Sequence, residues 1–319
     1  MKSAQFKRYG GSDVVEINQT TTMSTPTLTA GNVLVKIKAA GVNPIDWKIR
    51  EGYMQQMIPI HFPSTLGMDF SGVIKQVGGE GVVSPAFKQG DEVYGQAGAT
   101  NGGSGAFAEL ALTNVDHIAH KPERLNHLQA AALPLVGVSA WQALVDNIGL
   151  SKDQKILIHG GAGGIGSISI QLAKKIGAYV ATTVSANDKQ FVQDLGADEV
   201  IDYKTQTFED LVHGYDAAYD TVGGETYTKS FMVLKKDSGI VVSMLEQPNS
   251  ELMQQFGVKA IFQFTQVNNE RLRKLAEFVD HQDNNIEIYI DKTFPLDEAG
   301  KALDYQKNVR PRGKIVLVI

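Results

Sequence analysis

The sequence contains no cysteine among its 319 residues. This absence excludes disulfide bonds, thiolate nucleophiles and every zinc or iron–sulfur site that depends on cysteine ligands. It fits a reducing compartment, and we expect a cytoplasmic location. The amino-terminal residues Met1–Gly10 lack the apolar core of a signal peptide, and no apolar run approaches the length of a membrane span. We therefore expect no membrane partner.

An excess of positive charge is also missing. Lysine and arginine number 30 against 35 aspartates and glutamates, which gives a formal net charge of −5. Such a balance provides no basic surface for nucleic acid, so we expect no nucleic-acid partner. The content of 43% hydrophobic and 20% charged residues is ordinary for a globular protein. A chain of this length can form two domains with separate cores.

The clearest motif is a glycine-rich turn between a short apolar stretch, Lys155–His159, and a helical pattern. Gly161, Gly163 and Gly166 follow the spacing G-x-G-x-x-G, which predicts a tight turn, close approach to a pyrophosphate and close helix–strand packing, in that order. The predicted cofactor contacts in this turn are Gly161, Ala162, Gly163, Gly164, Ile165 and Gly166. The helix should bury Ile165, Ile168, Leu172 and Ile176 and end at Gly177.

A nucleoside-triphosphate loop is a poor alternative for this turn. Such a loop places a lysine and a hydroxyl residue after its last glycine, whereas Ser167 and Ile168 follow Gly166 here. The motif therefore predicts dinucleotide binding. About 150 residues precede it, so another domain should come first.

The periodicity of the chain changes near Pro122. Before it, short strand patterns such as Asn32–Lys38, with alternating apolar residues and lysines, indicate a β-rich domain. From Lys155 onward, strand and helix patterns alternate, which predicts a doubly wound parallel sheet. The predicted strands of that sheet are Ile156–His159, Tyr179–Val184, Glu199–Ile201, Ala217–Asp220 and Gly239–Met244. The tail predicts a helix at Asn269–Asp280 and a strand at Lys314–Ile319.

The chain resembles the medium-chain dehydrogenases/reductases that lack zinc, in the branch of ζ-crystallin-like quinone oxidoreductases and enone reductases. The resemblance runs nearly from end to end. The matching motifs are Gly41–Lys48, Phe62–Gly72, Phe87–Tyr94, Val138–Leu144, His159–Gly166, Gly196–Tyr203, Asp220–Gly224 and Arg312–Leu317.

The resemblance implies an α/β protein with a GroES-like, β-rich substrate domain (residues 1–122) and a Rossmann domain with a doubly wound parallel sheet that binds NADPH (123–261). Residues 262–319 should return to the substrate domain, with the active cleft between the domains. It also implies a homodimer. We expect the strand Gly239–Met244 to lie at the open edge of the Rossmann sheet and to pair with a second subunit.

We expect no metal site. Zinc-dependent relatives carry a cysteine and a histidine where Asn43 and Met68 stand here, and neither of these residues is a good zinc ligand. The histidines show no paired spacing that would replace them.

The cofactor is expected to be NADPH. An NAD site usually carries an acidic residue at the end of the second strand, whereas Ser185 and Lys189 follow that strand here, and a hydroxyl and a cation suit a 2′-phosphate. The resemblance adds Tyr203 as a phosphate ligand. Asp188 argues against this preference, and an alternative is that Ser185 and Lys189 only cap and solvate the next helix.

The resemblance also implies the residues around the nicotinamide. Asn43 should contact the nicotinamide ribose or the substrate, and Ser139 should lie beneath the nicotinamide. Val222 and Gly223 should support its carboxamide through backbone groups. Arg312 joins the cofactor set. Tyr53 should reach the substrate as a proton donor, and the alternatives are that water donates the proton and that Tyr53 is a surface tyrosine without a role. The predicted catalytic residues are thus Asn43 and Tyr53.

Three functions remain open from the sequence. The first is an NADPH:quinone reductase acting on a small-molecule quinone. The alternatives are a reductase of enone or 2-alkenal double bonds and a non-catalytic, crystallin-like NADPH-binding protein. Without a metal to polarise a simple carbonyl, a conjugated acceptor that spreads the incoming charge should react best.

Overall fold

The computed structural model describes residues 1–19, 28–57, 59–79, 87–99 and 102–319. Its strands are β1 (Lys2–Phe6), β2 (Glu16–Gln19), β3 (Asn32–Val42), β4 (Ser64–Thr65), β5 (Asp69–Val77), β6 (Glu92–Gln96), β7 (Leu110–Asn114), β8 (Ile118–His120), β9 (Lys155–His159), β10 (Tyr179–Val184), β11 (Glu199–Asp202), β12 (Ala217–Asp220), β13 (Ile240–Ser243), β14 (Lys259–Phe262), β15 (Ile290–Pro295) and β16 (Lys314–Val318). Its helices are α1 (Pro44–Arg50), α2 (His127–Ala131), α3 (Pro134–Trp141), α4 (Gly164–Ile176), α5 (Lys189–Asp194), α6 (Phe208–Leu211), α7 (Glu225–Val233), α8 (Ser250–Phe256), α9 (Asn269–Asp280) and α10 (Ala299–Val309).

The chain divides into two compact units. Domain 1 comprises Met1–Leu135 and Val267–Ile319, and domain 2 comprises Val136–Gln266. The boundaries expected from the sequence, after residues 122 and 261, both lie earlier than these. The first division comes later because α2 packs on the sheet of domain 1. A Cβ atom at Gly41 in β3 would run into the carbonyl oxygen of Ala131, and His127 Nδ1 lies 2.8 Å from Ser71 Oγ in β5.

Domain 1 is built on a largely antiparallel sheet with the strand order β15-β16-β3-β5-β6-β8, to which β7 adds by pairing with β3. The alternation predicted for β3 is present, since Val33, Val35 and Ile37 are buried while Lys36 and Lys38 are exposed. β16 pairs with β3, so the carboxyl-terminal segment completes the sheet that the amino-terminal part begins. The carboxyl-terminal residues Val267–Ile319 thus belong to the same compact unit as the amino-terminal strands.

Domain 2 contains a six-stranded parallel sheet with the order β11-β10-β9-β12-β13-β14. This is the doubly wound Rossmann order, in which the direction of strand addition reverses between the first and fourth strands, here β9 and β12. The carboxyl ends of parallel strands share one edge of a sheet, so the loops after β9, β10, β11 and β12 lie along that edge.

The predicted position of the open sheet edge is wrong. The residues of β13 pair with β12 on one side and with β14 on the other, so β13 is an interior strand. The sequence pattern did not reveal β14, whose four residues, Lys259–Phe262, are only partly buried or exposed. The edges of this sheet are β11 and β14.

The described helices include none that combines the length and the apolar character needed to cross a bilayer. The longest element of domain 2 is α4, in which Ile168 and Leu172 are buried as predicted, while Ile165 and Ile176 are only partly buried. The helix ends at Gly177, which has the left-handed φ of +94° that a glycine accepts without strain.

Candidate cofactor and active-site residues

The glycine turn follows β9 and opens α4 at the point where the strand order reverses. Gly163 is the residue that precedes the helix, and no side chain caps the helix there. The first N–H groups of a helix have no acceptor within it, and together with the helix dipole they attract an anion. The start of α4 therefore presents backbone N–H groups that suit an anionic group.

The backbone geometry or close packing requires a glycine at three positions of the turn, Gly160, Gly161 and Gly166. The positive φ of the tight turn, +73°, occurs at Gly160 and not at Gly161, which corrects the predicted division of roles. A Cβ atom at Gly161 would run into Thr182 Oγ1, and a Cβ atom at Gly166 would run into the carbonyl oxygen of Gly160. At Gly163 the nearest atom would be the Gly160 carbonyl oxygen at 3.4 Å, so this position is open.

The residues predicted to bind a 2′-phosphate lie at the ends of the next two strands. Ser185 directly follows β10, and Tyr203 directly follows β11, whose residue Asp202 pairs with Val184. The backbone N–H of Tyr203 donates to the carbonyl of Val184 at 3.2 Å. The phenol ring of Tyr203 is exposed, and Lys189 begins α5. The strand register thus brings these residues to the same sheet edge as the glycine turn.

Ser185 is not free to bind a phosphate in this structure. Its Oγ donates to the carboxylate of Asp188 at 2.8 Å. In the alternative interpretation Ser185 and Lys189 cap and solvate the next helix, but the Ser185 side chain makes no capping hydrogen bond to a backbone N–H there. Ser185 and Asp188 therefore place a hydroxyl and a carboxylate beside Lys189.

The turn after β12 is shaped by Asp220. One carboxylate oxygen accepts from the backbone N–H groups of Val222 and Gly223 at 3.0 and 2.9 Å, and the other accepts from Ser243 Oγ at 2.7 Å. The N–H groups of Val222 and Gly223 are thus already bonded within the protein. Any support that this turn gives to a carboxamide would have to come from other backbone groups.

Ser139 is fully buried in α3. Its hydroxyl lies 2.7 Å from the hydroxyl of Thr265, and its carbonyl accepts from Tyr219 Oη at 3.2 Å and from Gln263 Nε2 at 3.0 Å. Thr265 and Gln263 were not predicted as site residues. They follow β14, the strand that the sequence pattern did not reveal.

Domain 1 contains a buried polar cluster around Asn43, which we call the Asn43 cluster: Asn43, Asp46, Asp69, Gln96 and Lys314. The Asn43 side-chain amide donates to Asp69 Oδ2 at 2.9 Å, and its oxygen accepts from Lys314 Nζ. The Asn43 backbone N–H donates to Asp46 Oδ2 at 2.8 Å, as part of a capping box that starts α1. Gln96 Nε2 and the Leu135 N–H also donate to Asp69, at 2.8 and 3.0 Å.

Burial controls the ionisation of this cluster. Burial, with a smaller effect from the nearby Asp69 carboxylate, raises the pKa of Asp46 to about 7, against the opposing effects of the Asn43 backbone hydrogen bond and Lys314. Burial also raises the pKa of Asp69, against the opposing effects of Lys314 and the hydrogen bonds from Gln96 and Asn43. The same desolvation lowers the pKa of Lys314, which the two carboxylates oppose.

The other predicted residues of domain 1 lie outside this cluster. Tyr53 is in the turn after α1 with 71% of its surface exposed, and its ring packs edge-on against Trp47 at a centroid distance of 5.9 Å. Arg312 is partly buried in the segment between α10 and β16. Among the described residues, no group of three or more His, Cys, Asp or Glu side chains could hold a metal ion.

Two family models match the sequence. The alcohol dehydrogenase GroES-like domain matches residues 29–123, and a domain described as zinc-binding dehydrogenase matches residues 195–317. The mitochondrial NAD(P)H oxidoreductase RTN4IP1 of Mus musculus is 33% identical over 353 residues, which cover 97% of this chain and 87% of the relative. The chain belongs to the medium-chain dehydrogenase/reductase family.

Two further similarities place this medium-chain reductase within the family. The chloroplastic NADPH-dependent alkenal/one oxidoreductase of Arabidopsis thaliana is 31% identical over 328 residues, covering 99% of this chain and 79% of the relative. The solved quinone oxidoreductase of Coxiella burnetii is 33% identical with a TM-score of 0.88, covering 100% of this chain and 99% of that chain. The chain is thus an oxidoreductase of the branch that contains quinone oxidoreductases and enone or alkenal reductases. Domain 1 is its GroES-like domain and domain 2 its Rossmann domain.

Proposed function

We propose that this chain is an NADPH-dependent reductase that transfers a hydride to quinones. The observation that carries the proposal is the glycine turn that opens α4 at the switch point of the Rossmann sheet. The turn has an uncapped helix start, and there is room at Gly163 for a ligand to approach the backbone.

The residues around the turn fit a phosphorylated dinucleotide. The backbone from Gly161 to Gly166 would hold the pyrophosphate, and Lys189 with Tyr203 would bind the 2′-phosphate at the ends of the next two strands. Ser185 would join them after releasing Asp188. When bound, NADPH supplies a hydride from C4 of its nicotinamide ring. Asn43, Ser139, Val222, Gly223 and Arg312 keep their predicted places around the cofactor as part of this proposal.

A quinone is the favoured acceptor because the positions of the zinc ligands in related enzymes carry other residues in this chain. Asn43 and Met68 offer neither the thiolate nor the imidazole with which zinc relatives bind their metal. An acceptor that delocalises negative charge itself is then favoured over a simple ketone. A quinone takes the hydride and one proton to form a hydroquinone, and its oxygen can receive that proton from water. The quinone oxidoreductase of C. burnetii supports this choice by similarity.

An enone or 2-alkenal double-bond reductase is the second candidate, because Tyr53 presents an exposed phenol on domain 1. After hydride transfer to the β-carbon, the enolate needs a proton at its α-carbon, which a phenol can donate. The similarity to the A. thaliana alkenal/one oxidoreductase supports this candidate.

Oxidation of NADPH with a panel of acceptors tests the proposal. The panel contains 1,4-benzoquinone, a 2-alkenal, a cyclic enone and a saturated ketone, each also measured with NADH. Highest turnover with the quinone and NADPH is expected. Highest turnover with the alkenal or enone would favour the second candidate, and faster reduction of the ketone would contradict both. Tight NADPH binding without turnover of any acceptor would support a non-catalytic, crystallin-like role.

Assembly and location complete the proposal. The edge strand β14 leaves backbone groups of domain 2 available for pairing, and a second copy of the chain would cover them in a homodimer. A monomeric mass by light scattering at micromolar concentration would contradict this. The cytoplasmic location stays a prediction from the sequence.

A further inference from the structure

Lys314, at the start of β16, is one of the few buried charged side chains in domain 1. Its Nζ donates to the carbonyl of Val42 at 2.6 Å and to the side-chain oxygen of Asn43. A buried ammonium is costly unless hydrogen bonds and counter-charges compensate for its lost hydration. Asp46 and Asp69 are the buried carboxylates that interact with it.

The contacts of Lys314 and Asp69 permit only one orientation of the Asn43 amide. A lysine ammonium can only donate hydrogen bonds, whereas an ionised carboxylate can only accept them. The amide oxygen must therefore face Lys314, and the amide nitrogen must face Asp69. If the amide were rotated by 180°, its NH2 group would face the Lys314 ammonium, so that two donors would meet. Its oxygen would face the Asp69 carboxylate, so that two acceptors would meet.

The Asn43 cluster also fixes the start of α1. Asn43 is the residue before this helix. In the capping box its backbone N–H donates to the Asp46 side chain, and its own side chain accepts from the Asp46 backbone. The helix leads directly into the turn that contains Tyr53. Both predicted catalytic residues, Asn43 and Tyr53, thus lie on the short segment 42–53. Lys314 contacts the first two residues of this segment, Val42 and Asn43.

We propose that Lys314 is a positioning residue. Its ammonium fixes the amide of Asn43 and the corner between β3 and α1, and it supplies from within the protein a positive charge near the buried carboxyl groups of Asp46 and Asp69. The inference concerns a motif in which zinc relatives have a metal ligand in place of Asn43. Only the expected fall in kcat on substitution of Lys314 rests on the proposed function.

Lys314→Met tests the inference, because methionine keeps much of the side chain's length and removes the ammonium. Lys121→Met is a matched control: Lys121 is also nearly buried in domain 1, and its Nζ donates to the carbonyls of Pro122 and Leu125.

We expect kcat to fall about tenfold to a hundredfold in Lys314→Met. NADPH affinity should change little, because the glycine turn lies in domain 2. Lys314→Arg should retain more of kcat than Lys314→Met does. The control should lose stability and keep its kcat. Equal kcat in the two methionine variants would overturn the inference.

A double variant guards against loss of folding. Lys314→Met with Asp69→Asn removes the ammonium and one counter-charge together, so stability should recover relative to the single variant while kcat stays low. Recovery of both would show that Lys314 only balances charge.

A measurement on the unmodified protein separates this inference from the proposed function. The side-chain amide protons of Asn43, assigned by nuclear magnetic resonance, should exchange with solvent far more slowly than those of the exposed Asn308. Equal exchange rates would overturn the inference whatever the enzyme reduces. Protected protons in a protein that reduces no quinone or enone would leave the inference standing and the proposed function wrong.

Discussion

The hydroxyl of Ser185 donates a hydrogen bond of 2.8 Å to the carboxylate of Asp188, directly after the second strand of the Rossmann sheet. The residue expected to favour a 2′-phosphate is thus held by the residue expected to repel one. Lys189 is the next residue in the chain. Its ammonium is positively charged whether Ser185 bonds Asp188 or a phosphate. We therefore expect cofactor preference to depend on the balance between Asp188 and Lys189.

The first prediction concerns these two residues. Lys189→Ala should weaken NADPH binding by roughly ten- to hundredfold and leave NADH almost unchanged, because a charged contact to phosphate is worth about 1.5–3 kcal/mol. Asp188→Asn should strengthen NADPH binding by removing a negative charge and releasing Ser185. Fluorescence titration measures both. Lys236→Ala is the control, because Lys236 is exposed before β13, at the other end of the sheet. Tighter binding of NADH than of NADPH by the unmodified protein would contradict the preference.

Alanine substitutions at two glycines of the turn should have different effects, one mainly on stability and the other mainly on NADPH binding. A Cβ atom at Gly166 meets the Gly160 backbone, so Gly166→Ala should lower the free energy of unfolding by about 1–3 kcal/mol. Gly163 is open, so Gly163→Ala should cost about 1 kcal/mol or less, the loss of a good helix-capping residue. Its methyl group would instead occupy the space proposed for the pyrophosphate and weaken NADPH binding at least about tenfold, a loss of ~1.4 kcal/mol. Urea unfolding and cofactor titration measure the two effects. Unchanged NADPH affinity in Gly163→Ala would place the pyrophosphate elsewhere.

The sequence predicted those parts of the fold that depend on local signals. The bounds of α9, Asn269–Asp280, and the glycine that ends α4 follow from helical periodicity and capping, which need only neighbouring residues. The strands of the Rossmann sheet follow from apolar runs bounded by turns. β14 was missed because it is a short edge strand that begins with a lysine and buries little of its surface, so it carries no burial pattern.

The side-chain partners in the candidate site could not be predicted. Lys314 and Asn43 are 271 residues apart, and Ser139 and Thr265 are 126 residues apart, so only the folded topology brings each pair together. One signal was available for Lys314, since a lysine that begins an otherwise apolar central strand has a side chain that must find buried partners. The contact between Ser185 and Asp188 is local, and a hydroxyl three residues before a carboxylate at the start of a helical segment could have indicated it.

Activity should not depend on a metal. Asn43 and Met68 replace the ligands of zinc relatives, and Lys314 already interacts with the nearby carboxylates. Exhaustive treatment with a chelator should leave turnover unchanged, and elemental analysis should find no stoichiometric zinc. A zinc-dependent alcohol dehydrogenase treated in parallel shows that the chelator is effective. Turnover that is lost on chelation and restored by Zn²⁺ would refute the prediction.

The raised pKa of Asp46 gives stability a defined pH dependence. Its pKa is about 7 in the folded protein against an ordinary value of 3.8, so the folded state holds this proton more tightly than the unfolded state. The resulting stabilisation is complete below about pH 4 and is lost as pH rises through 7, at up to ~1.4 kcal/mol per pH unit. Asp46→Asn does not titrate, so its stability relative to the unmodified protein should increase over this range. Urea unfolding between pH 4 and 8 measures the difference, with the exposed Asp13→Asn as the control. A constant difference between the two proteins would contradict the raised pKa.

Tyr53 should distinguish the two proposed substrate classes. Its phenol is exposed in the turn after α1, and the proposed function makes it the candidate proton donor. An enolate left by hydride transfer needs a proton on carbon, and a positioned acid contributes about 10²–10⁴-fold to such a step. A reduced quinone needs its proton on oxygen, which water supplies readily. Tyr53→Phe keeps the ring and its contact with Trp47 and removes only the hydroxyl, so it should cut enone turnover strongly and quinone turnover much less. Tyr179→Phe, at the amino end of β10 in domain 2, is the control and should change neither rate. Unchanged enone turnover in Tyr53→Phe would exclude this residue as the donor and leave water as the source of the proton.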